Sequence, residues 1–233
     1  PTRVFPEAVG LKKIDKETLL GYGAMVFNAL GPDNEFRKDA MAKGLSVLEK
    51  INKQCLEENI DTKGLAKEIY RSTAENSEED QLAGMLVRSL LSAGIDTTVS
   101  AIGNLLWCLA ENPEQFQLVK NDKSLVGNAV EESLRLTSPV KAFCRTSATD
   151  TEVSGVTIEE GTKILCVLGS ANTDPEVWEN PLKYDVTRRT IGHLALGIGV
   201  HNCVGQTLAR AEITALISSV SYTHLRAHET IAD

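Results

Sequence analysis

Apolar residues recur at intervals of three and four through most of the 233-residue chain, the spacing of one helix face. The pattern predicts helices over residues 14–30 and 34–56, separated by the turn signal Gly31-Pro32-Asp33. A shorter helix is expected over 63–70. The longest periodic stretch covers 77–110. It opens on Ser77, Glu78, Glu79 and Asp80, a capping-box-like start with acids in the first turn. It stops at Asn112-Pro113, because a residue before proline avoids helical angles. About 33 helical residues make ~50 Å, enough to cross a domain rather than lie on its surface. Another helical pattern covers 123–136. After Pro139 the pattern changes: Ala142-Phe143-Cys144-Arg145-Thr146-Ser147 is β-like, and 162–168 read as a strand after the turn at Glu160-Gly161. From Val204 onward, Val204, Leu208, Ala211 and Ala215 return to helical spacing. The expected fold is mainly α with minor β.

Composition narrows the partners. A formal net charge of −8 argues against nucleic acid. No unbroken run of ~18 apolar residues occurs, so no membrane-spanning helix and no membrane partner are expected. The first ten residues carry neither an initiator Met nor a signal-peptide pattern. Cys55, Cys108, Cys144, Cys166 and Cys203 are scattered without CxxC spacing, which points to a reducing cytoplasm rather than a disulfide framework. Arg37, Lys38, Lys43, Lys50 and Lys53 read as a solvated helix face.

Candidate chemistry concentrates in three places. Residues 196–205 read L-G-I-G-V-H-N-C-V-G, with Gly197, Gly199 and Gly205 around Cys203. Glycines let the backbone pass close to a flat, bulky group. The helix that follows offers unpaired amides, which favour a thiolate. An anionic sulfur in such a loop suits the axial ligand of a haem iron; the plainer reading is a structural cysteine at a helix start. The second place is Ala93-Gly94-Ile95-Asp96-Thr97-Thr98, in the middle of the long helix. Gly94 weakens a helix interior by ~1 kcal/mol, so a distortion is expected there. Leu86, Leu90, Leu91, Ile102, Leu105 and Leu106 surround the segment on several faces. Asp96 and Thr97 are therefore expected to be buried, with water as partner; a solvent-facing polar turn is the plainer reading. The third place is Glu132 and Arg135, three apart on one helix face; as bare residues they make a surface pair contributing ~0.3 kcal/mol.

Together these motifs resemble the cytochrome P450 haem-thiolate monooxygenases. The cysteine loop is similar to the family's F-x-x-G-x-H-x-C-x-G: the two glycines, His201, Cys203 and Gly205 match, and Leu196 stands in place of Phe. That change alters packing beside the sulfur. Residues 93–98 match the family's (A/G)-G-x-(D/E)-T-(T/S) throughout, and Glu132 and Arg135 match its E-x-x-R. The resemblance implies an incomplete P450 fold over residues 1–220. The first sheet strands, helices over one haem edge and the final strands would lie outside the chain. It makes the helices over 14–30 and 34–56 a lid over the substrate cavity, and it leads 169–178 into a short helix. It implies haem b (iron protoporphyrin IX) on the Cys203 sulfur, in a loop opened by Gly197, Gly199 and Gly205, with Arg145 and His201 pairing its propionates. Thr97 would hydrogen-bond the oxygen being activated, and Asp96 would relay protons through water. Glu132, Arg135 and Arg188 would form a buried structural triad, costly to break. No flavin or nicotinamide motif occurs in the chain, so a separate ferredoxin with its NAD(P)H-dependent reductase would supply electrons.

The wording L-V-R-S-L-L-S-A-G-I-D-T-T, F-P-E-A-V-G-L, F-N-A-L-G-P and L-G-S-A-N-T-D-P resembles bacterial P450s that oxidise para-substituted benzoates. Ser89, Ser92 and Asp96 share a helix face, and Arg88 sits about 12 Å along the axis from Asp96. Arg88, Ser89, Ser92 and Ala93 are accordingly expected at a carboxylate anchor; an Arg88 that points to solvent is the alternative. Terpenoid, fatty-acid or macrolide-like substrates are alternatives at the level of the family. Two other classes stand against an oxygenase: a haem binder without turnover and a helical interaction module. Asp96-Thr97 speaks for turnover, since a haem carrier needs no proton relay. Residues 221–233 stop following the family and are expected to be a non-native tail. In that tail His224 and His228, four apart, are too few ligands for zinc. Cys55, Cys108, Cys144 and Cys166 are expected to be packing or surface thiols, and His193 to be structural.

Overall fold

A computed structural model describes residues 1–12, 14–74 and 80–223. The chain divides into two compact units, Pro1–Val99 and Ser100–Asp233. The first holds α1 (Val4–Val9), α2 (Lys16–Leu30), α3 (Glu35–Gln54), α4 (Leu65–Ala74) and the start of α5 (Asp80–Glu111). Asp15 caps α2 by accepting from the amide of Thr18 at 2.8 Å, and Asn34 caps α3 by accepting from that of Arg37 at 3.1 Å. These caps set the starts that periodicity placed one or two residues early. The two helices pack against each other as a hairpin. Periodicity missed α1, which is only six residues long; Gly10, in the left-handed region at φ 90°, ends it. Its Phe5 and Val9 are buried.

The second unit continues α5 and adds α6 (Pro113–Asn121), α7 (Leu125–Thr137), four short strands, α8 (Leu168–Ala171) and α9 (Gln206–Thr223). Its core joins Leu105, Cys108 and Leu109 of α5 to Val119, Val126, Ala129, Val130, Leu134, Tyr184, Val186, Ile213 and Ile217. Strand β1 (Phe143–Thr146) runs antiparallel to β4 (Lys163–Cys166), with Phe143 opposite Cys166. Strands β2 (Thr151–Val153) and β3 (Val156–Ile158) form a hairpin closed by Ser154 and Gly155, both at positive φ.

The structure extends two expectations and corrects two. The proline that stops the long helix also starts α6 at its first position, where the missing amide costs nothing. Helix α5 is α-helical without a break through residues 93–98, because Gly94 has a packing role that outweighs its poor propensity. By length and composition Leu82–Glu111 is apolar enough to cross a membrane, although polar residues interrupt any unbroken run. In the fold this apolar character serves the two cores, where Val87, Leu91, Ile95, Leu105 and Leu109 are buried. Finally, α9 buries Ile213 and Ile217, while Val204, Ala211 and Ala215 are exposed and Leu208 is half-buried. The regular spacing of small residues pointed to the wrong face; the two β-branched side chains fill the core. The backbone of α9 continues to Thr223. Ser77, Glu78, Glu79, His224 and His228 lie outside the described residues.

Candidate active site

The loop before α9 is folded by its glycines. Gly197 and Gly199 sit at φ 72° and 69°, a left-handed conformation that a β-carbon disfavours. The resulting coil lets the amide of Cys203 donate to the Leu196 carbonyl at 2.8 Å, and that of Gly197 to the Leu194 carbonyl at 3.0 Å. The amide of Gln206 donates to the Cys203 carbonyl at 3.3 Å, so the cysteine stands just ahead of α9. Cys203 is half-buried, and the apolar residues around it are open: Ile198 is 76% exposed, Val200 95% and Val204 84%. A soft sulfur donor in a left-handed glycine coil with an exposed apolar rim fits a flat apolar macrocycle held through its metal. Among the described residues no group of three His, Cys, Asp or Glu side chains could hold a bare metal ion. Haem fits this donor set, and Cys203 would be its protein ligand. His201 lies exposed on the turn before the cysteine. Arg145 is also exposed; it donates to the Cys144 carbonyl at 2.9 Å and lies over the Phe143 ring.

A buried ionic cluster braces this unit. Glu132 and Arg135 are fully buried, and Arg135 grips the carboxylate with two bonds of 2.7 and 2.8 Å. Arg188 reaches the same carboxylate at 2.9 Å from 56 residues away. Arg135 also donates to the carbonyls of Asn172 and Pro181 and stacks on Trp178. Asn172, itself fully buried, accepts from the amide of Leu194 at 2.6 Å. The cluster thereby connects to the segment that feeds the cysteine loop. The spacing and the resemblance singled out the three charged residues; nothing local in the sequence singled out Asn172.

Asp96 and Thr97 belong to the first unit. Asp96 is half-buried, and burial raises its carboxyl above the usual range. A β-carbon on Gly23 of α2 would lie 2.8 Å from the Asp96 carboxyl carbon, so glycine there admits the acid. Gly94 plays a similar part for Phe5, whose ring lies where a β-carbon would project. The Thr97 hydroxyl turns back to donate to the Ala93 carbonyl. The proposed anchor residues are not gathered into one polar cluster. Arg88 donates to Asn52 of α3 at 2.8 Å, while Ser89 and Ser92 donate to the carbonyls of Met85 and Ser89. Ala93 is exposed. The sequence reading missed Tyr22, whose hydroxyl donates to the Arg88 carbonyl at 3.4 Å.

The cysteine loop, the E-x-x-R cluster and the acid–alcohol pair fall together within a single family pattern: the cytochrome P450 profile matches residues 24–220, and the chain belongs to that family. It is similar to cytochrome P450 CYP199A2 of Rhodopseudomonas palustris, 44% identical over 95% of this chain and 54% of the relative. It is also similar to the biotin biosynthesis cytochrome P450 of Bacillus subtilis, 31% identical over 93% of this chain and 56% of that protein. Among solved structures, cytochrome P450 CREJ in complex with (4-ethylphenyl) dihydrogen phosphate superposes with a TM-score of 0.84 at 27% identity, covering 95% of this chain and 56% of that one. The chain thus spans just over half the length of these relatives.

Proposed function

We propose that the protein of which this chain is part is a haem-thiolate monooxygenase acting in the cytoplasm on a para-substituted aromatic carboxylate. The observation that carries the reading is the Cys203 loop, with its left-handed glycines and exposed apolar rim. Haem b bound through Cys203 would supply activation of O2 and insertion of one oxygen atom into the substrate. The second oxygen would leave as water, which would take two protons and two electrons from a ferredoxin and its NAD(P)H-dependent reductase.

The chain's own part in that chemistry is binding, positioning and proton supply. Gly197 and Gly199 open the loop, Cys203 presents its sulfur, Arg145 offers a cation to the propionates and His201 a ring N–H donor. Burial keeps Asp96 more readily protonated than an ordinary carboxylic acid, the property a proton donor needs. The Thr97 hydroxyl, released from the Ala93 carbonyl, can pass a proton on. Arg88 would meet the substrate acid by exchanging its bond to Asn52, and Ser89 and Ser92 retain lone pairs for a solvating water. The resemblance to benzoate-oxidising P450s supports this substrate class; the CREJ complex holds a para-substituted aryl phosphate, which shares the aromatic ring and acidic group but not the carboxylate.

The test is a binding and turnover assay with para-methoxybenzoate and its methyl ester. The acid should shift the haem spin state and lose its methyl group as formaldehyde. The ester should bind roughly ten- to a hundred-fold more weakly, because a charged hydrogen bond contributes ~1.5–3 kcal/mol. Arg88→Ala should abolish that preference. Equal affinity for acid and ester in the unsubstituted protein would overturn the anchor, and absence of any oxygenated product from either would overturn the substrate class.

A further inference from the structure

Glu131 stands next to the triad glutamate in α7, yet it serves a different cluster. Its carboxylate accepts from Arg210 of α9 through two bonds, Nε to Oε1 at 2.5 Å and Nη2 to Oε2 at 3.0 Å. Oε2 also accepts from His193 Nε2 at 2.9 Å. His193 Nδ1 accepts the Ala195 amide at 3.2 Å, so the neutral ring carries its proton on Nε2, facing Glu131. Arg210 donates its remaining Nη1 to Gln206 at 2.7 Å. These side chains, with Gly197 and Asn202, line a cavity of about 310 Å³ beside the cysteine loop.

Two routes connect this cluster to Cys203. One is mechanical: His193 holds the Ala195 amide, and the next residue, Leu196, gives its carbonyl to the Cys203 amide. The other is electrostatic: Arg210 lies one turn into α9, just beyond the cysteine. Its cation is stabilised first by the hydrogen bonds it donates to Glu131, and Gly197 and Asn202 of the cysteine loop line the same cavity as its side chain. Glu131 remains anionic throughout the ordinary pH range: burial opposes its ionisation, and bonds from His193 and Arg210 overcome that and hold its pKa at about 2. The side chains of the Arg210–Glu131 pair are 34% and 23% exposed, and a pair this open contributes little to stability. The buried triad, through Asn172, already holds the same segment at Leu194. A small stability effect beside a sulfur ligand leaves tuning of that sulfur as the larger consequence.

We propose that Glu131, His193 and Arg210 form a second clamp on the Cys203 loop, in which Arg210 is a positioning residue that restrains electron donation by the Cys203 sulfur and Glu131 sets how much of that positive charge the sulfur feels. The proposal rests on the reading of Cys203 as the haem ligand. Removing the cation makes the sulfur a stronger donor and lowers the haem reduction potential. Removing the anion frees the full charge of Arg210 and raises it. A clamp that was only structural would loosen in either variant and move both potentials the same way.

The experiment is a spectroelectrochemical titration of the haem-loaded protein, of Glu131→Gln, of Arg210→Gln and of Arg210→Lys. The expected result is a lower potential in Arg210→Gln, a higher one in Glu131→Gln and a near-parental one in Arg210→Lys, which keeps the charge. If Arg210→Gln does not load haem, Glu131→Gln and Arg210→Lys decide alone: a raised value in the first and an unchanged one in the second support the proposal. Shifts of one sign in both charge-removing variants, or no shift in Glu131→Gln, overturn it. The reduced CO-bound spectrum of the unsubstituted protein is recorded first. Failure of that spectrum to show thiolate ligation overturns the haem-thiolate reading itself, whereas a normal spectrum with uniform shifts overturns only the clamp.

Discussion

Glu132→Gln isolates the charge of the buried cluster while keeping its shape. The wild-type carboxylate accepts from Arg135 Nε and Nη2, from Arg188 Nε and from the amide of Asp185. Glutamine retains one acceptor oxygen and turns an NH2 towards a guanidinium that can only donate. Arg135, fully buried, then loses its counter-ion and keeps the Asn172 and Pro181 carbonyls and the Trp178 ring. Breaking a buried pair from one side costs ~3–5 kcal/mol. The low end applies here, because those remaining contacts persist and Arg188 is partly solvated. A loss of about 3 kcal/mol is a factor of roughly 150 in the unfolding equilibrium and a Tm lower by ~6–12 °C for a chain of this size. Urea unfolding followed by tryptophan fluorescence and far-UV circular dichroism measures it. Arg135→Met in the Glu132→Gln background should recover part of the loss, since the stranded charge goes with it. A single-variant loss below ~1 kcal/mol, or a double variant worse than the sum of its parts, would refute the reasoning.

Other expected outcomes follow from particular contacts. Gly94→Ala should destabilise by about 1–2 kcal/mol, because the Phe5 ring must move; in a Phe5→Ala background the sign should reverse, with a gain of ~0.5–1 kcal/mol from helix propensity, and equal effects in both backgrounds would contradict this. The folded-state pKa of Glu131, about 2, lies below its ordinary 4.5, so its contribution is complete above pH ~4.5 and lost as pH falls through 2. Glu131→Gln should therefore flatten the stability slope between pH 5 and 3, and parallel curves would count against the assignment. Gly23→Ala should push the Asp96 carboxylate out of its place, lowering kcat and enlarging the solvent isotope effect while substrate Kd changes little; unchanged turnover would remove that contact from the proton route.

Legibility in the sequence followed the range of each interaction. Helices α2, α3, α5 and α7 announce themselves because caps, periodicity and proline act within a few residues. The hairpin at Ser154-Gly155 carried an equally local signal, a Gly-containing dipeptide between alternating runs, and could have been read. Glu132 and Arg135 were visible as a helical pair, but Arg188 could be placed beside them only through the family pattern. Asn172, His193 and Arg210 could not be read because their partners lie 22, 62 and 79 residues away, where no spacing rule applies. The α5 glycine shows the same limit. Propensity alone predicts a weak point at Gly94, whereas a ring from the other end of the unit, Phe5, occupies the space it leaves. The face of α9 was misassigned because helical spacing gives a stripe but not which stripe the core selects.

The central claim is that the Cys203 sulfur binds haem iron as a thiolate, and the reduced, CO-bound absorption spectrum tests it most directly. The unsubstituted protein should show the red-shifted Soret band of thiolate ligation. Cys203→Ala should lose it, while Cys55→Ala, Cys108→Ala, Cys144→Ala and Cys166→Ala should each retain it. A red-shifted band that survives in Cys203→Ala would contradict the account.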